Sequence, residues 1–164
     1  MGIPLRTEEE IVKLREACKL ASDVLVMIEP YVKEGVTTGE LDRICHDYMV
    51  NVQKVIPACL NYHGFPKATC ISINEVVCHG IPKEEDVLEE GDIINVDVST
   101  IYNGYFSDSS RMFCIGQVSE EKKRLVEVTK QSLDIGLRQV KPWGFLGDMG
   151  QAIHDFARQN GYTV

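Results

Sequence analysis

Two acidic residues, Asp97 and Asp108, have a type and a spacing that could support chemistry. Asp97 lies in the mainly apolar run Asp92–Thr100, where a carboxylate is costly unless its charge is compensated. Asn103-Gly104 follows that run and offers the two residues of a type I′ turn. The turn predicts a β-hairpin in which the two aspartates are diagonal neighbours on one face, at roughly 7 Å between backbones.

Two carboxylates at this spacing predict either a shared proton or a bound cation. In the predicted register, Ser99 stands opposite Asp108. Asp97 stands opposite Ser110. Carboxylates in an apolar setting repel each other, and a proton or a cation between them relieves the repulsion. Hard oxygen ligands favour Mn, Fe, Co, Zn or Mg. The alternative is structural: Asp108 is a solvated residue at a strand edge, and Asp97 is a core acid with satisfied hydrogen bonds.

One histidine, His79, stands where a functional side chain is often found. The preceding residues Val76–Cys78 predict a buried strand, and Gly80 and Pro82 turn the chain after it. A histidine in this position can donate a proton or hold a substrate carbonyl. The alternative is a structural or merely exposed histidine beside a turn. The pattern leaves the role of His63 undecided.

Soft and aromatic side chains cluster around the loop Asn61–Pro66. Cys59, Tyr62, Phe65 and Cys70 could wall an apolar pocket, and a thioether would fit it. The same four residues could instead belong to an ordinary hydrophobic core.

Helices at both ends of the chain and strands in its middle must position these residues. Apolar residues recur every three or four positions in four segments, which predict helices beginning after Thr7, Thr37, Ser119 and near Leu146. Runs of β-branched residues predict strands at Val55–Ile56, Thr69–Ile73, Val76–Cys78, Ile93–Tyr102 and Tyr105–Cys114. Tyr162–Val164 reads as the start of another strand. This order predicts a single α+β domain over residues 1–164, with an antiparallel sheet covered by helices.

Composition excludes several classes of protein. The chain has 17 basic and 25 acidic residues and a formal charge of −8, which disfavours a broad nucleic-acid-binding surface. No apolar run approaches the roughly 20 residues of a membrane span, and no secretory signal is evident at the start. The six cysteines contain no Cys-x-x-Cys pair, so reduced thiols in the cytoplasm are expected.

Three segments together resemble the methionine aminopeptidases, of the type I bacterial-like branch. The matching stretches are Ile71–Pro82, Gly91–Asp97 and Phe106–Phe113. The resemblance implies the pita-bread fold, of which this chain would be the N-terminal portion. It also implies removal of the initiator methionine by metal-dependent peptide hydrolysis, with the N-termini of nascent polypeptides as substrates and the ribosome as a candidate partner.

The resemblance also implies roles for individual residues. Asp97 would bind one metal and Asp108 would bridge two divalent ions, which could be Co, Mn, Fe or Zn. His79 would hydrogen-bond the substrate and help to stabilise the tetrahedral intermediate. The wall of the methionine pocket would consist of Cys59, Tyr62, Phe65 and Cys70. Phe65 departs from the family, whose members often carry Tyr at this position.

The family's other metal ligands, one His and two Glu, have no match in this sequence, nor does its second substrate-contacting His. A site with fewer charged ligands should bind metal weakly, so the 164-residue chain alone is expected to be inactive or nearly so. Two other readings stay open. One is an inert pita-bread module that binds peptides or proteins, and the other is a related proline-specific metallopeptidase.

Overall fold

The computed structural model describes residues 3–164, which divide into two compact units. The first unit ends at Val118, and the second comprises Ser119–Val164. Both contain helices, and only the first contains strands. Across residues 3–164, no helix combines the length and the apolar character that a membrane crossing requires.

Two helices open the first unit where capping residues predict them. Helix α1 (Glu8–Ile28) begins with a capping box: the Glu10 amide donates to the Thr7 hydroxyl at 3.2 Å, and the Thr7 amide donates to the Glu10 carboxylate at 2.8 Å. Helix α2 (Thr38–Asp47) is capped by the Thr37 hydroxyl, which accepts from the Glu40 amide. These local bonds satisfy backbone donors that have no partner within the helix.

Four antiparallel strands follow, and the third of them lies at the centre. They are β1 (Ile56–Pro57), β2 (Cys70–Ile73), β3 (Ile93–Tyr102) and β4 (Tyr105–Cys114). Strand β4 pairs with the whole of β3 along one edge, while β1 and β2 pair with successive parts of its other edge. The predicted α+β class with an antiparallel sheet is confirmed.

Alternation along β3 separates a core face from an open face. Ile94, Val96 and Val98 are fully buried, whereas Asp97 and Ser99, each of which follows one of these valines, are only half-buried. Side chains alternate between the two faces of a strand, so the buried set faces the core and the polar set faces away from it. The core contains side chains from α1, α2, the sheet and the segments that follow them. Its largest fully buried members are Ile28, Leu41, Met49, Leu88, Ile94 and Ile115.

Two short strand predictions are wrong. Val76–Cys78 is not a strand, because the chain turns at Asn74, which has φ +50°, and Val77 is 95% exposed. The Val76 amide donates to the Ile73 carbonyl at 3.0 Å, which is the bond of a turn. The chain reaches β2 only at Gly80, whose carbonyl accepts from the Ile71 amide. Tyr162–Val164 also lies outside any strand.

The second unit is a pair of helices. Helix α3 (Glu120–Leu137) is capped by Ser119, and helix α4 (Leu146–Gln159) packs against it. Gly136 permits close approach, since a Cβ placed there would lie 2.7 Å from the Ile153 side chain.

Candidate metal centre and adjoining pocket

The β3–β4 hairpin sets the two aspartates side by side on the open face of the sheet. Asn103 and Gly104 have φ of +50° and +81°, the left-handed values that a type I′ turn requires. The register places Asp97 opposite Ser110, as predicted. It also places Asp108 opposite Ser99, whose hydroxyl donates to the Asp108 carboxylate at 3.1 Å.

The two carboxylates are in direct contact, and one of them holds its proton unusually well. Burial raises the pKa of Asp97 to about 6, and the charge of Asp108 and a hydrogen bond between the two side chains add to the effect. Nearby His79 and the Val98 amide act in the opposite direction. At neutral pH the pair therefore carries charge at a cost that a bound cation would relieve.

The donor set fits part of a divalent-metal site. Carboxylate oxygens are the ligands that hard and borderline divalent ions accept. Within residues 3–164, no group of three or more His, Cys, Asp or Glu side chains is placed to hold a metal ion. Asp97 and Asp108 could thus supply two ligands, and tight binding of a metal ion would require further ones.

An apolar cavity of about 750 Å³ adjoins the aspartates. Its wall includes all five residues that the sequence proposed for substrate contact: Cys59, Tyr62, Phe65, Cys70 and His79. Ser99 also lines it and links it to the carboxylates through its bond to Asp108. The cavity therefore opens beside the place where a cation would bind.

A strained turn forms one wall of the cavity. Asn61 and His63 have φ of +65° and +48°, and the Asn61 amide donates to the Phe65 carbonyl at 2.8 Å. The rings of Tyr62 and His63 meet edge to face, with centroids 4.4 Å apart. Left-handed residues of this kind persist only where surrounding contacts hold them.

His79 reaches the site from an exposed loop rather than from the predicted buried strand. It has φ +55°, and the next residue, Gly80, lies directly against β2. The Ile71 amide donates to the Gly80 carbonyl at 2.9 Å, and the Gly80 amide donates to the Ser72 hydroxyl at 3.1 Å. A Cβ at Gly80 would lie 2.0 Å from the Ile71 carbonyl oxygen, so this approach requires glycine.

Sequence reasoning missed Asp42, a buried residue that supports the pocket from α2. Its carboxylate accepts from the amides of Ala68 and Thr69, at 3.0 and 2.9 Å, and from the Thr69 hydroxyl at 2.9 Å. These three bonds fix the segment that leads into Cys70. No local pattern reveals them, because the partners are separated by more than 25 residues.

Other missed residues belong to the cavity itself. Ser99 and Phe106 line it from β3 and β4, and His63 and Ile81 line it from loops. Ser99 could have been found, because the predicted hairpin register already set it opposite Asp108.

Known proteins resemble this chain along its whole length. A family profile described as Metallopeptidase family M24 matches residues 12–164. Methionine aminopeptidase of Haemophilus influenzae is 64% identical over all of this chain, which spans 62% of that relative's length. The structure of methionine aminopeptidase from Rickettsia prowazekii superposes with a TM-score of 0.96 at 44% identity, over 99% of this chain and 65% of that one.

A more distant likeness shows the fold alone. Prolidase from Pyrococcus furiosus superposes with a TM-score of 0.80 at 21% identity, over 96% of this chain and 45% of that chain. The predicted architecture, the N-terminal part of the pita-bread fold, is confirmed by these structures together.

Proposed function

Because the chain belongs to metallopeptidase family M24, we propose that it supplies the methionine pocket and two metal ligands of a methionine aminopeptidase. The complete site would remove the N-terminal methionine from polypeptides by metal-dependent hydrolysis. The observation that carries the proposal is a cavity walled by thiols and aromatic rings that adjoins a contacting pair of carboxylates.

Asp97 and Asp108 would hold two divalent ions, of which Co, Mn, Fe and Zn are all compatible with oxygen ligands. When bound, such ions polarise a carbonyl and make a water molecule more acidic. The hydroxyl of Ser99 donates to one oxygen of the Asp108 carboxylate, Oδ2, and so helps to fix the orientation of that group. These two ligands are a partial set, so tight binding depends on further ligands.

His79 would contact the peptide at the bond to be cleaved. It lines the cavity and also lies close enough to Asp97 to affect the pKa of that carboxyl group. An imidazole placed there can donate a hydrogen bond to a substrate carbonyl and to the oxyanion that develops from it.

The cavity would hold the methionine side chain. Cys59 and Cys70 present sulfur, and Tyr62 and Phe65 present rings, to a flexible thioether. Sulfur–aromatic contacts of this type contribute about 0.3–1.5 kcal/mol each. A β-branched or charged first residue would match the wall less well.

The proposed substrates are the N-termini of nascent polypeptides, encountered at or near the ribosome in the cytoplasm. Support for the compartment comes from the thiols: Cys18, Cys45, Cys59, Cys70, Cys78 and Cys114 are all free. Unpaired cysteines are typical of a reducing environment.

A hybrid enzyme provides the test. The 164-residue chain would be joined to the C-terminal part of the Haemophilus influenzae relative, and methionine release from a Met-Ala-Ser peptide would be measured with Mn²⁺. The hybrid should cleave, the Asp97→Ala hybrid should lose at least about a hundredfold in rate, and the chain alone should be nearly inactive. A hybrid that binds the peptide without cleaving it would support an inert module. Preference for an Xaa-Pro peptide would support a proline-specific peptidase.

A further inference from the structure

Two thiols meet in the wall of the cavity, which gives this wall a second kind of chemistry. Cys59 follows β1 and Cys70 begins β2, and both strands lie along the same edge of β3. The Ala58 amide donates to the Ser99 carbonyl at 2.8 Å, while Cys70 pairs with Asp97 only two residues away along β3. The chain thus returns to nearly the same point of the sheet.

The side chains of Cys59 and Cys70 converge from these two positions. Both line the cavity, and Cys59 lies close enough to Cys70 to add to the effect of burial, which raises the pKa of the Cys70 thiol to about 12. A disulfide requires Cβ atoms about 3.5–4.5 Å apart. Two cysteines that stand at neighbouring positions along one edge of β3 and line the same cavity wall need little backbone movement to join. We propose that Cys59 and Cys70 are an oxidisable dithiol that a peroxide converts to an intramolecular disulfide.

The reaction balances with hydrogen peroxide as the oxidant. The Cys59 sulfur attacks one peroxide oxygen, a sulfur–oxygen bond forms and the O–O bond breaks. The other oxygen leaves as water with the Cys59 thiol proton, and Cys59 becomes a sulfenic acid. The Cys70 sulfur then attacks the Cys59 sulfur. A sulfur–sulfur bond forms, the sulfur–oxygen bond breaks, and the hydroxyl leaves as a second water with the Cys70 proton. Two thiols and one peroxide give one disulfide and two waters.

The order of attack follows from exposure. Cys59 is half-buried, whereas Cys70 is only 6% exposed, so peroxide in the cavity reaches Cys59 first. Cys70 is then the resolving thiol because it lines the same cavity wall as Cys59. Cys45 is fully buried in the core, away from this cavity wall.

Oxidation would change the cavity's shape as well as its chemistry. The new bond closes the segment 60–69, which carries Tyr62 and Phe65, into a covalent loop. It also removes both thiols from the wall. The inference that oxidation weakens methionine binding rests on the proposed function, whereas the inference that the disulfide forms does not.

The experiment uses a background in which Cys18, Cys78 and Cys114, the exposed cysteines, are replaced by Ser. The protein is treated with a stoichiometric amount of hydrogen peroxide, and its intact mass and disulfide-linked peptides are determined. We expect a loss of about 2 Da, a cross-linked peptide that joins Cys59 to Cys70, and reversal by dithiothreitol. Circular dichroism checks that each variant is folded.

Matched variants decide between outcomes. In the same background, Cys59→Ser should react slowly, whereas Cys70→Ser should gain about 16 Da as the sulfenic acid or about 32 Da as the sulfinic acid. The proposal is overturned if the parent background gains oxygen without losing hydrogen, or if the bond joins other cysteines.

Methionine binding to the reduced and oxidised protein, followed by NMR, separates this inference from the proposed function. If methionine binds at least about tenfold more weakly after oxidation, the result supports both the dithiol inference and the proposed function. A disulfide that forms in a protein with no methionine affinity in either state leaves the dithiol inference intact and contradicts the proposed function.

Discussion

Asp97 is held between two opposing influences. Half-burial and the adjoining Asp108 favour its neutral form, whereas His79 and the Val98 amide favour its charged form. Burial and Asp108 have the larger effect, so the pKa of Asp97 rises to about 6. The same arrangement that makes this carboxylate costly in the metal-free protein makes it a good ligand, because a cation cancels the repulsion.

The stability of the metal-free protein should therefore depend on this residue between about pH 4 and pH 7. The pKa of Asp97 is higher in the folded chain than its ordinary value of 3.8, so the folded state keeps the proton longer than the unfolded state does. The protonated Asp97 therefore adds to the free energy of unfolding. This contribution is fully present below pH 3.8 and is lost as the pH rises through about 6. Urea unfolding with EDTA at a series of pH values measures it.

The Asp97→Asn variant should show a flatter pH profile over the same interval, because Asn cannot ionise and can still hydrogen-bond to Asp108. Asp134→Asn, which changes an exposed acid on α3, is the matched control and should keep the parent slope. If the parent and Asp97→Asn profiles have equal slopes, other groups account for the dependence.

Divalent metal should stabilise the chain at neutral pH without any requirement for activity. At a Mn²⁺ concentration tenfold above Kd, the expected gain is about 1.4 kcal/mol, which corresponds to about 3 °C in Tm for a chain of this size. Thermal unfolding with and without Mn²⁺ measures the shift. The double variant Asp97→Asn/Asp108→Asn should lose it, and a shift that survives in that variant would place the metal elsewhere.

At the scale of elements, the hairpin could be predicted because its information is local. Asn103-Gly104 sets the turn, the turn sets the register, and the register brings Asp97 to Asp108. Helix starts were equally readable, since capping residues such as Thr7 act within one turn of the helix.

The errors and omissions arose where the deciding contact is distant in sequence. Val76–Cys78 has the composition of a strand, but it is exposed after the turn at Asn74, and the chain bonds to β2 through Gly80 beyond it. Asp42 looks like an ordinary helical acid until its loop partners are seen. The cavity as a whole could be assembled from the sequence only through family resemblance, because its walls come from separate segments of the chain.

Asp42 should be the strongest single polar contributor to the order of the pocket loop. Asp42→Ala would leave the buried amides of Ala68 and Thr69 without an acceptor, and should cost about 2–4 kcal/mol in the free energy of unfolding. Asp42→Asn keeps one acceptor oxygen and should cost about 1 kcal/mol. Urea denaturation measures both losses.

An acid on the same helix provides the control for that prediction. Asp47 is exposed, and its carboxylate accepts a hydrogen bond from the Asn51 side chain. Asp47→Ala should therefore change the free energy of unfolding by less than about 0.5 kcal/mol. Equal costs for Asp42→Ala and Asp47→Ala would show that burial of the carboxylate does not determine the order of the loop.

At the scale of the whole molecule, the two units differ in how much they bury. The first unit contains the main hydrophobic cluster, with α1, α2 and β3 side chains that are fully inaccessible. In the second unit the buried residues of the helices are small: Val128, Ser132, Gly136 and Ala157. Larger side chains there, such as Leu133 and Leu146, are more than half exposed. Local stability follows buried apolar contact, so the second unit should open at lower free energy.

Two glycine substitutions in the second unit test that difference by native-state hydrogen exchange. Gly150 lies inside α4, and a methyl group added to it would meet no atom within 4 Å, so Gly150→Ala should stabilise the helix by about 1 kcal/mol. Gly136→Ala is the matched change in α3, where a Cβ would lie 2.7 Å from Ile153, so its gain should be smaller or reversed. Both changes should alter the hydrogen-exchange protection of the amides of α3 and α4, while the amides of β3 keep the protection they have in the parent protein. A uniform response across both units would show that they open together, as one cooperative domain.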